Sequence, residues 1–158
     1  LSGFYSSIQI FNHQDFTKEQ HQKVLEVLEF LEILELKDKK VHQMSTGQLR
    51  RCIIGRALIH DPKAFILDEP TVGLDIKSQH SFIKLIQKLS KSASIIIVTH
   101  HIEEIFEEIT HVALIHNKTI FKQGKKEDIL TSKNLSEIFE IDIDLQKENE
   151  RYYIKSIK

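Results

Sequence analysis

The sequence has 158 residues, of which 41% are hydrophobic and 28% are charged. These fractions are typical of a globular domain and exclude collagenous, low-complexity and wholly disordered chains. Lys and Arg together number 22 and Asp and Glu 23, so the formal charge of −1 argues against a protein that binds nucleic acid through its overall charge. The single cysteine, Cys52, excludes a disulfide within the chain and is typical of a reducing compartment.

Hydrophobic periodicity predicts alternating helices and strands along the chain. A capping box at Thr17 opens the first helix, and Ser45 with Gln48 has the same spacing before the second. The predicted helices are 17–36, 47–60, 78–89, 102–109, 127–130 and 135–139. The predicted strands are 64–67 and 94–98, a hairpin of 111–116 with 119–122 across Asn117 and Lys118, and a terminal hairpin of 141–145 with 152–157. Residues 1–14 show no sustained period.

Two adjacent acids, Asp68 and Glu69, follow the apolar strand 64–67. Open α/β sheets bind ligands at the carboxyl ends of their strands, so these carboxylates are candidates for chemistry. Asp68 would hold Mg²⁺ and Glu69 would accept the proton of an attacking water, as in nucleotide triphosphatases. The alternative is an acidic turn at a strand end with no catalytic role.

Three further segments surround these acids in a fixed order. Residues 44–51 read Met-Ser-Thr-Gly-Gln-Leu-Arg-Arg, residues 71–75 read Thr-Val-Gly-Leu-Asp, and residues 98–100 read Val-Thr-His. With the acids, they resemble the signature motif, Walker B strand, D-loop and switch histidine of the nucleotide-binding domain of ATP-binding cassette (ABC) proteins. The resemblance extends from about residue 17 to residue 124. It implies an α/β fold, namely the C-terminal part of a P-loop NTPase domain with a mainly parallel sheet, flanking helices and part of an α-helical subdomain.

The resemblance assigns the signature segment a role in binding ATP. Ser45, Thr46, Gly47 and Gln48 would contact the γ-phosphate of a nucleotide held by an opposing subunit, at a helix N-terminus whose N–H groups suit an anion. Ser45 would equally serve as an ordinary helix N-cap. The family usually has Leu and Gly where this chain has Met44 and Thr46, and the β-branched Thr46 adds bulk beside the phosphate.

The resemblance makes His100 the switch residue, positioned to contact the γ-phosphate and to orient Glu69 and water. Asp75 would lie at the interface between two ATPase subunits, although it would also suit the N-cap of the next helix. A metal site made of His100, His101, Glu103 and Glu104 is a further alternative, but their spacing fits neither an H-E-x-x-H helix nor a Cys/His finger.

The phosphate-binding motif G-x-x-x-x-G-K-[ST] does not occur in this sequence, because none of its five glycines is followed by another at the required spacing. Together with the first residue, Leu1, this favours a C-terminal piece of a cassette that is inactive alone. We expect residues 1–60 to be part of the α-helical subdomain with the signature motif. We expect residues 61–158 to be the C-terminal half of the RecA-like ATPase core, with a terminal hairpin.

The resemblance also implies a role for the whole protein. It would hydrolyse ATP with Mg²⁺ as a head-to-tail dimer with a second ABC subunit, bound to a transmembrane permease on the cytoplasmic face of the cell membrane, with no nucleic acid partner. Residues 2–6 and 99–104 are similar to those of molybdenum-transport ATP-binding proteins. A non-transport ABC ATPase acting in DNA maintenance or translation is the alternative.

Overall fold

The computed structural model describes residues 2–5 and 16–158. Their elements in chain order are helices α1 (Lys18–Phe30) and α2 (Thr46–Leu58), strand β1 (Ala64–Asp68), helix α3 (Ile76–Ser90), strands β2 (Ser94–Val98), β3 (His111–His116) and β4 (Thr119–Lys125), helices α4 (Lys126–Ile129) and α5 (Ser132–Phe139), and strands β5 (Ile143–Glu148) and β6 (Arg151–Ile157). Short 3-10 turns lie at Ser2–Tyr5, Leu34–Leu36, Val41–Gln43 and Ile102–Glu104. Most of the region predicted as irregular, residues 6–14, lies outside the described residues. No helix among those described is both long and apolar enough to cross a bilayer.

The chain divides into two compact units, Leu1–Ile97 and Val98–Lys158. In the first unit, α2 contacts both α1 and α3. The core of this first unit includes Leu31, Ile33, Ile86 and Leu89, each at most 2% exposed. Removing such side chains from water is the main favourable term in folding, so these residues hold the helices of this unit together.

Strands β1 and β2 form a two-stranded sheet, joined through α3. The Ser94 N–H donates to the carbonyl of Lys63 at 2.9 Å, so β2 begins beside the start of β1. The two strands therefore run in the same direction, as a helix-bearing crossover requires. This parallel pair agrees with the predicted fold class, and both strands lie where the sequence predicted them.

The second unit is built from two antiparallel hairpins, β3 with β4 and β5 with β6. Asn117 and Lys118 both have positive φ, and so do Asn149 and Glu150, as expected for two-residue type I′ turns. Helix α4 contacts β3 and β4, and α5 contacts β5. The prediction of both hairpins is confirmed.

The first predicted helix, 17–36, was too long. Helix α1 begins with the predicted Thr17 capping box and ends at Phe30. Glu32 then adopts φ +57°, its N–H donates to Glu29, and the Ile33 N–H donates to Leu28, both at 2.9 Å. These bonds form a Schellman end, which normally has glycine at the left-handed position. Because this position is Glu32 here, no local signal marks the end of the helix.

The predicted helix 102–109 is also wrong, because only the turn Ile102–Glu104 is helical. Glu103 and Glu104 would each face another glutamate four residues later in a helix, and β-branched isoleucines lower helix propensity further. The carbonyls of Phe106 and Glu107 instead accept bonds from the buried Lys126 Nζ, at 3.2 and 2.9 Å.

Candidate functional site

The two candidate acids lie at the carboxyl end of β1. Phe65 anchors this strand with only 7% of its surface exposed, whereas Asp68 is exposed and Glu69 is half-buried. An exposed carboxylate at a strand end has the oxygen chemistry that Mg²⁺ prefers, so Asp68 fits the predicted metal role. The half-buried Glu69 is better placed than a fully solvated side chain to act as a selective base.

Glu69 begins a tight turn with unusual backbone geometry. Its φ is +44°, in the left-handed region, although the next residue is Pro70. The Val72 N–H donates to the Glu69 carbonyl at 3.3 Å, and the Leu74 N–H donates to the Thr71 carbonyl at 3.1 Å. Left-handed backbone is costly for a residue with a side chain, so contacts from elsewhere must hold this turn.

Helix α2 supplies that contact through Arg50. This arginine donates from Nη1 to the carbonyls of Glu69, at 3.3 Å, and Pro70, and from Nη2 to the carbonyl of Val72. Sequence reasoning included Arg50 in the signature segment but assigned it no function. No spacing rule indicates the contact, because it joins residues about twenty positions apart.

The N-terminus of α2 carries the predicted phosphate contacts. Ser45 Oγ accepts from the Gln48 N–H at 3.3 Å, and Gln48 Oε1 accepts from the Ser45 N–H at 3.0 Å, which completes the predicted capping box. Ser45 and Thr46 are exposed, and Gly47 and Gln48 are half-buried. The N–H groups of the first helical turn have no carbonyl partner within the helix, so this end fits an anion such as phosphate.

The structure brings the signature segment close to the predicted D-loop. A methyl group added to Gly47 would lie 3.7 Å from Leu74 Cδ2 and 3.8 Å from Ser78 Cβ. Asp75, between these residues, is the N-cap of α3 and accepts from the Ser78 N–H at 2.9 Å. The capping alternative for Asp75 is therefore observed, while its role at a subunit interface stays a prediction.

His100 lies in the second unit, two residues beyond the end of β2, and its side chain is exposed. Its ring centroid is 4.2 Å from that of His101, whose N–H donates to Thr99 Oγ1 at 2.9 Å. His101 Nδ1 lies 3.3 Å from Glu103 Oε1, whereas Glu104 is only 2% exposed. The switch role of His100 stays a prediction, as does the alternative of a metal site.

Comparison with known proteins connects this arrangement to one family. Residues 3–72 match the model of the ABC transporter family. An ABC transporter ATP-binding protein of Streptococcus mutans is 29% identical over 98% of this chain, which corresponds to 60% of that protein. The Bacillus subtilis ABC transporter ATP-binding protein YlmA is 32% identical over 98% of this chain and 59% of its own length. The chain thus spans about three-fifths of the length of these two curated relatives.

The fold comparison agrees with the sequence comparison. A solved inward-facing ABC transporter, described as of a metal-chelate type, superimposes with a TM-score of 0.80 over 99% of this chain and 62% of its own, at 23% identity. An ATP-binding cassette solved in its ADP conformation gives a TM-score of 0.71 over 86% of this chain and 54% of its own, at 27% identity. The chain therefore has the fold of part of the ATP-binding domain of ABC transporters, to which its sequence is similar over nearly its whole length.

Proposed function

We propose that this chain carries the signature, Walker B, D-loop and switch segments of an ABC transporter ATP-binding subunit, and that the whole protein hydrolyses ATP to drive transport across a membrane. The observation that carries the proposal is the position of Asp68 and Glu69. Asp68 is the last residue of β1, and Glu69 begins the turn that follows it. Arg50 of α2 donates to this turn, and the N-terminus of the same helix carries Ser45–Gln48. Similarity to ABC transporter ATP-binding proteins over 98% of the chain supports it.

Asp68 and Glu69 have distinct roles in this mechanism. Asp68, through its exposed carboxylate, would hold Mg²⁺, which supplies charge neutralisation on the phosphates when bound. Glu69 accepts a proton from the attacking water at a carboxylate oxygen, and its partial burial limits competing bulk water. The resemblance assigns His100 the role of orienting Glu69 and the water, and its imidazole can donate a hydrogen bond to a phosphate oxygen.

The signature segment acts on a second nucleotide. Ser45 Oγ accepts a bond within the cap, and its hydroxyl proton can still donate to a phosphate oxygen. The main-chain N–H groups of Thr46 and Gly47, with the Gln48 side chain, complete an anion contact at the positive end of α2. The resemblance to ABC proteins assigns this contact to the γ-phosphate held by a second subunit, with Asp75 at the interface between them.

The proposed partners are those that the resemblance to ABC proteins implies. Two ATP-binding subunits close head to tail, and a transmembrane permease transmits the movement from the cytoplasmic face of the membrane. For the transported cargo, the resemblance to molybdenum-transport ATP-binding proteins predicts an oxyanion that other subunits select. Deleting the gene should then abolish uptake of labelled molybdate, while unchanged uptake would remove this cargo.

The catalytic part of the proposal is tested on the protein that the complete gene encodes. Glu69→Gln keeps the size of the side chain but removes its basicity, so ATP binding should persist while hydrolysis falls about a hundredfold or more. The matched control is Glu127→Gln, on an exposed residue of α4, which should retain the wild-type rate. Equal turnover by wild type and Glu69→Gln would exclude Glu69 as the base.

Co-purification separates transport from the alternative functions. The tagged, complete protein should purify from detergent-solubilised membranes with an integral membrane subunit. Recovery with ribosomes or DNA instead would favour an ABC ATPase of translation or DNA maintenance.

A further inference from the structure

The guanidinium of Arg50 connects α2 to the turn that begins at Glu69. It is half-buried and donates to three main-chain carbonyls, those of Glu69, Pro70 and Val72. A guanidinium presents five N–H donors in a rigid plane, and this shape suits several acceptors that lie close together. Arg50 therefore holds the whole turn rather than one of its residues.

The turn needs such support because its backbone is unfavourable. Glu69 has φ +44°, and the Pro70 ring further restricts the conformation of the residue before it. Within the turn, the Val72 N–H bonds the Glu69 carbonyl at 3.3 Å, which leaves that oxygen able to accept from Arg50 as well. The direction of the Glu69 side chain thus depends on a residue of another element.

The neighbouring arginine has a different set of contacts. Arg51 Nη1 donates to the Leu31 carbonyl at 2.5 Å and lies 3.4 Å from Glu32 Oε2, while its Nη2 donates to Ser81 Oγ. These bonds join α2 to the end of α1 and to α3. Of these two consecutive residues, Arg50 therefore contacts the turn that begins at Glu69, whereas Arg51 contacts the neighbouring helices.

We infer that Arg50 is a positioning residue that orients Glu69 and couples the two nucleotide sites of the dimer. This inference rests on the proposed function. There, the N-terminus of α2 contacts the nucleotide of the second subunit, and Glu69 serves the nucleotide of its own. Arg50, one turn into α2, is a direct link between these two contacts within a single chain.

The test compares Arg50→Gln, Arg50→Lys and Arg51→Gln in the protein encoded by the complete gene. Arg50→Gln should lower kcat about tenfold, because a misplaced base reacts slowly, while the Kd for ATP stays within about twofold of wild type. It should also lower the Hill coefficient for ATP. Arg50→Lys keeps the charge and some hydrogen-bond donors, so its kcat should lie between that of the wild type and that of Arg50→Gln.

Arg51→Gln serves as the structural control. It should lower Tm but keep kcat per folded molecule and the Hill coefficient. Hydrogen exchange gives an independent readout, because Arg50→Gln should speed exchange in residues 69–74 whereas Arg51→Gln should not.

The possible failures can be told apart. Active wild type together with an Arg50→Gln variant of unchanged kcat and unchanged exchange in residues 69–74 overturns the role of Arg50 alone. A loss of kcat shared equally with Arg51→Gln reduces Arg50 to ordinary packing and also overturns the inference. A wild-type protein without ATPase activity overturns the proposed function, and the coupling role falls with it.

Discussion

Asp75 holds Ser78 by two hydrogen bonds, from the Ser78 N–H to Oδ1 at 2.9 Å and from the Ser78 hydroxyl to Oδ2 at 2.7 Å. Asp75 thereby caps α3, and the charged carboxylate is the form that accepts both bonds. The bonds from the Ser78 side chain and backbone lower the pKa of Asp75 below its ordinary value of 3.8. The same residue that is predicted at a subunit interface therefore has a structural role within its own chain.

The first prediction concerns this cap and pH. Because the folded pKa of Asp75 is below the unfolded one, the stability that Asp75 contributes is fully present above about pH 4 and is lost as the pH falls through the folded pKa. Asp75→Asn keeps a capping oxygen but does not titrate, so its Tm should fall less steeply than that of the wild type between roughly pH 5 and pH 2. Asp75→Ala removes the cap, so it should lower Tm most above about pH 4 and progressively less at lower pH.

Thermal melts across this pH range check the prediction, with Asp38→Asn as a control on an exposed acid. If Asp75→Asn and Asp38→Asn change the pH profile equally, the cap is not the source of the effect.

The second prediction concerns the close approach of α1 and α2. A methyl group on Gly55 would lie 2.8 Å from Leu31 Cδ1 and 3.4 Å from Val27 Cγ1, and Leu31 is 0% exposed. Gly55→Ala should therefore reduce the free energy of unfolding by about 1–2 kcal/mol, because overpacking outweighs the better helix propensity of alanine. Urea unfolding measures this change, and an unchanged midpoint would show that the Leu31 side chain moves aside at little cost.

The parts of the fold that the sequence predicted correctly carry strong local signals. The capping boxes at Thr17 and Ser45 predict where two helices begin, and the turn at Asn117 and Lys118 predicts a hairpin. Each of these features is encoded by residues within four positions of one another. Local chemistry alone is therefore sufficient to identify them.

The parts that sequence reasoning missed depend on long-range contacts. Glu32 ends α1 in a left-handed conformation that its sequence does not signal, and the Leu31 carbonyl there bonds Arg51 from α2. Lys126 donates hydrogen bonds to two main-chain carbonyls of the segment 102–109, which was predicted as a helix. For the same reason Arg50, which contacts a turn about twenty residues away, was not identified as a functional residue.

The third prediction concerns nucleotide binding by the 158-residue chain itself. The sequence has no G-x-x-x-x-G-K-[ST] segment, whose main-chain N–H groups and lysine cradle a triphosphate. The chain alone should therefore bind MgATP weakly, because the α2 N-terminus and Asp68 offer only peripheral contacts. Isothermal titration checks this, and a micromolar Kd would show that these residues suffice to bind the nucleotide.

The fourth prediction separates structure from function at the N-terminus of α2. A methyl group on Gly47 makes only ordinary contacts, at 3.7 Å from Leu74 and 3.8 Å from Ser78. Gly47→Ala should therefore keep or slightly raise Tm, since alanine favours the helix by up to about 1 kcal/mol. In the protein encoded by the complete gene, the same change should reduce ATP hydrolysis about tenfold or more, because a side chain there obstructs the close approach of phosphate to the backbone.

Thr46→Gly is the matched comparison, because it removes bulk from the neighbouring exposed position where the ABC family usually has glycine. It should weaken the helix by no more than about 1 kcal/mol and leave hydrolysis equal to or above wild type. Measuring Tm and ATPase rate for both variants distinguishes the two roles. If Gly47→Ala hydrolyses ATP at the wild-type rate, the backbone at Gly47 does not approach a phosphate, and the signature contact must be assigned to other residues.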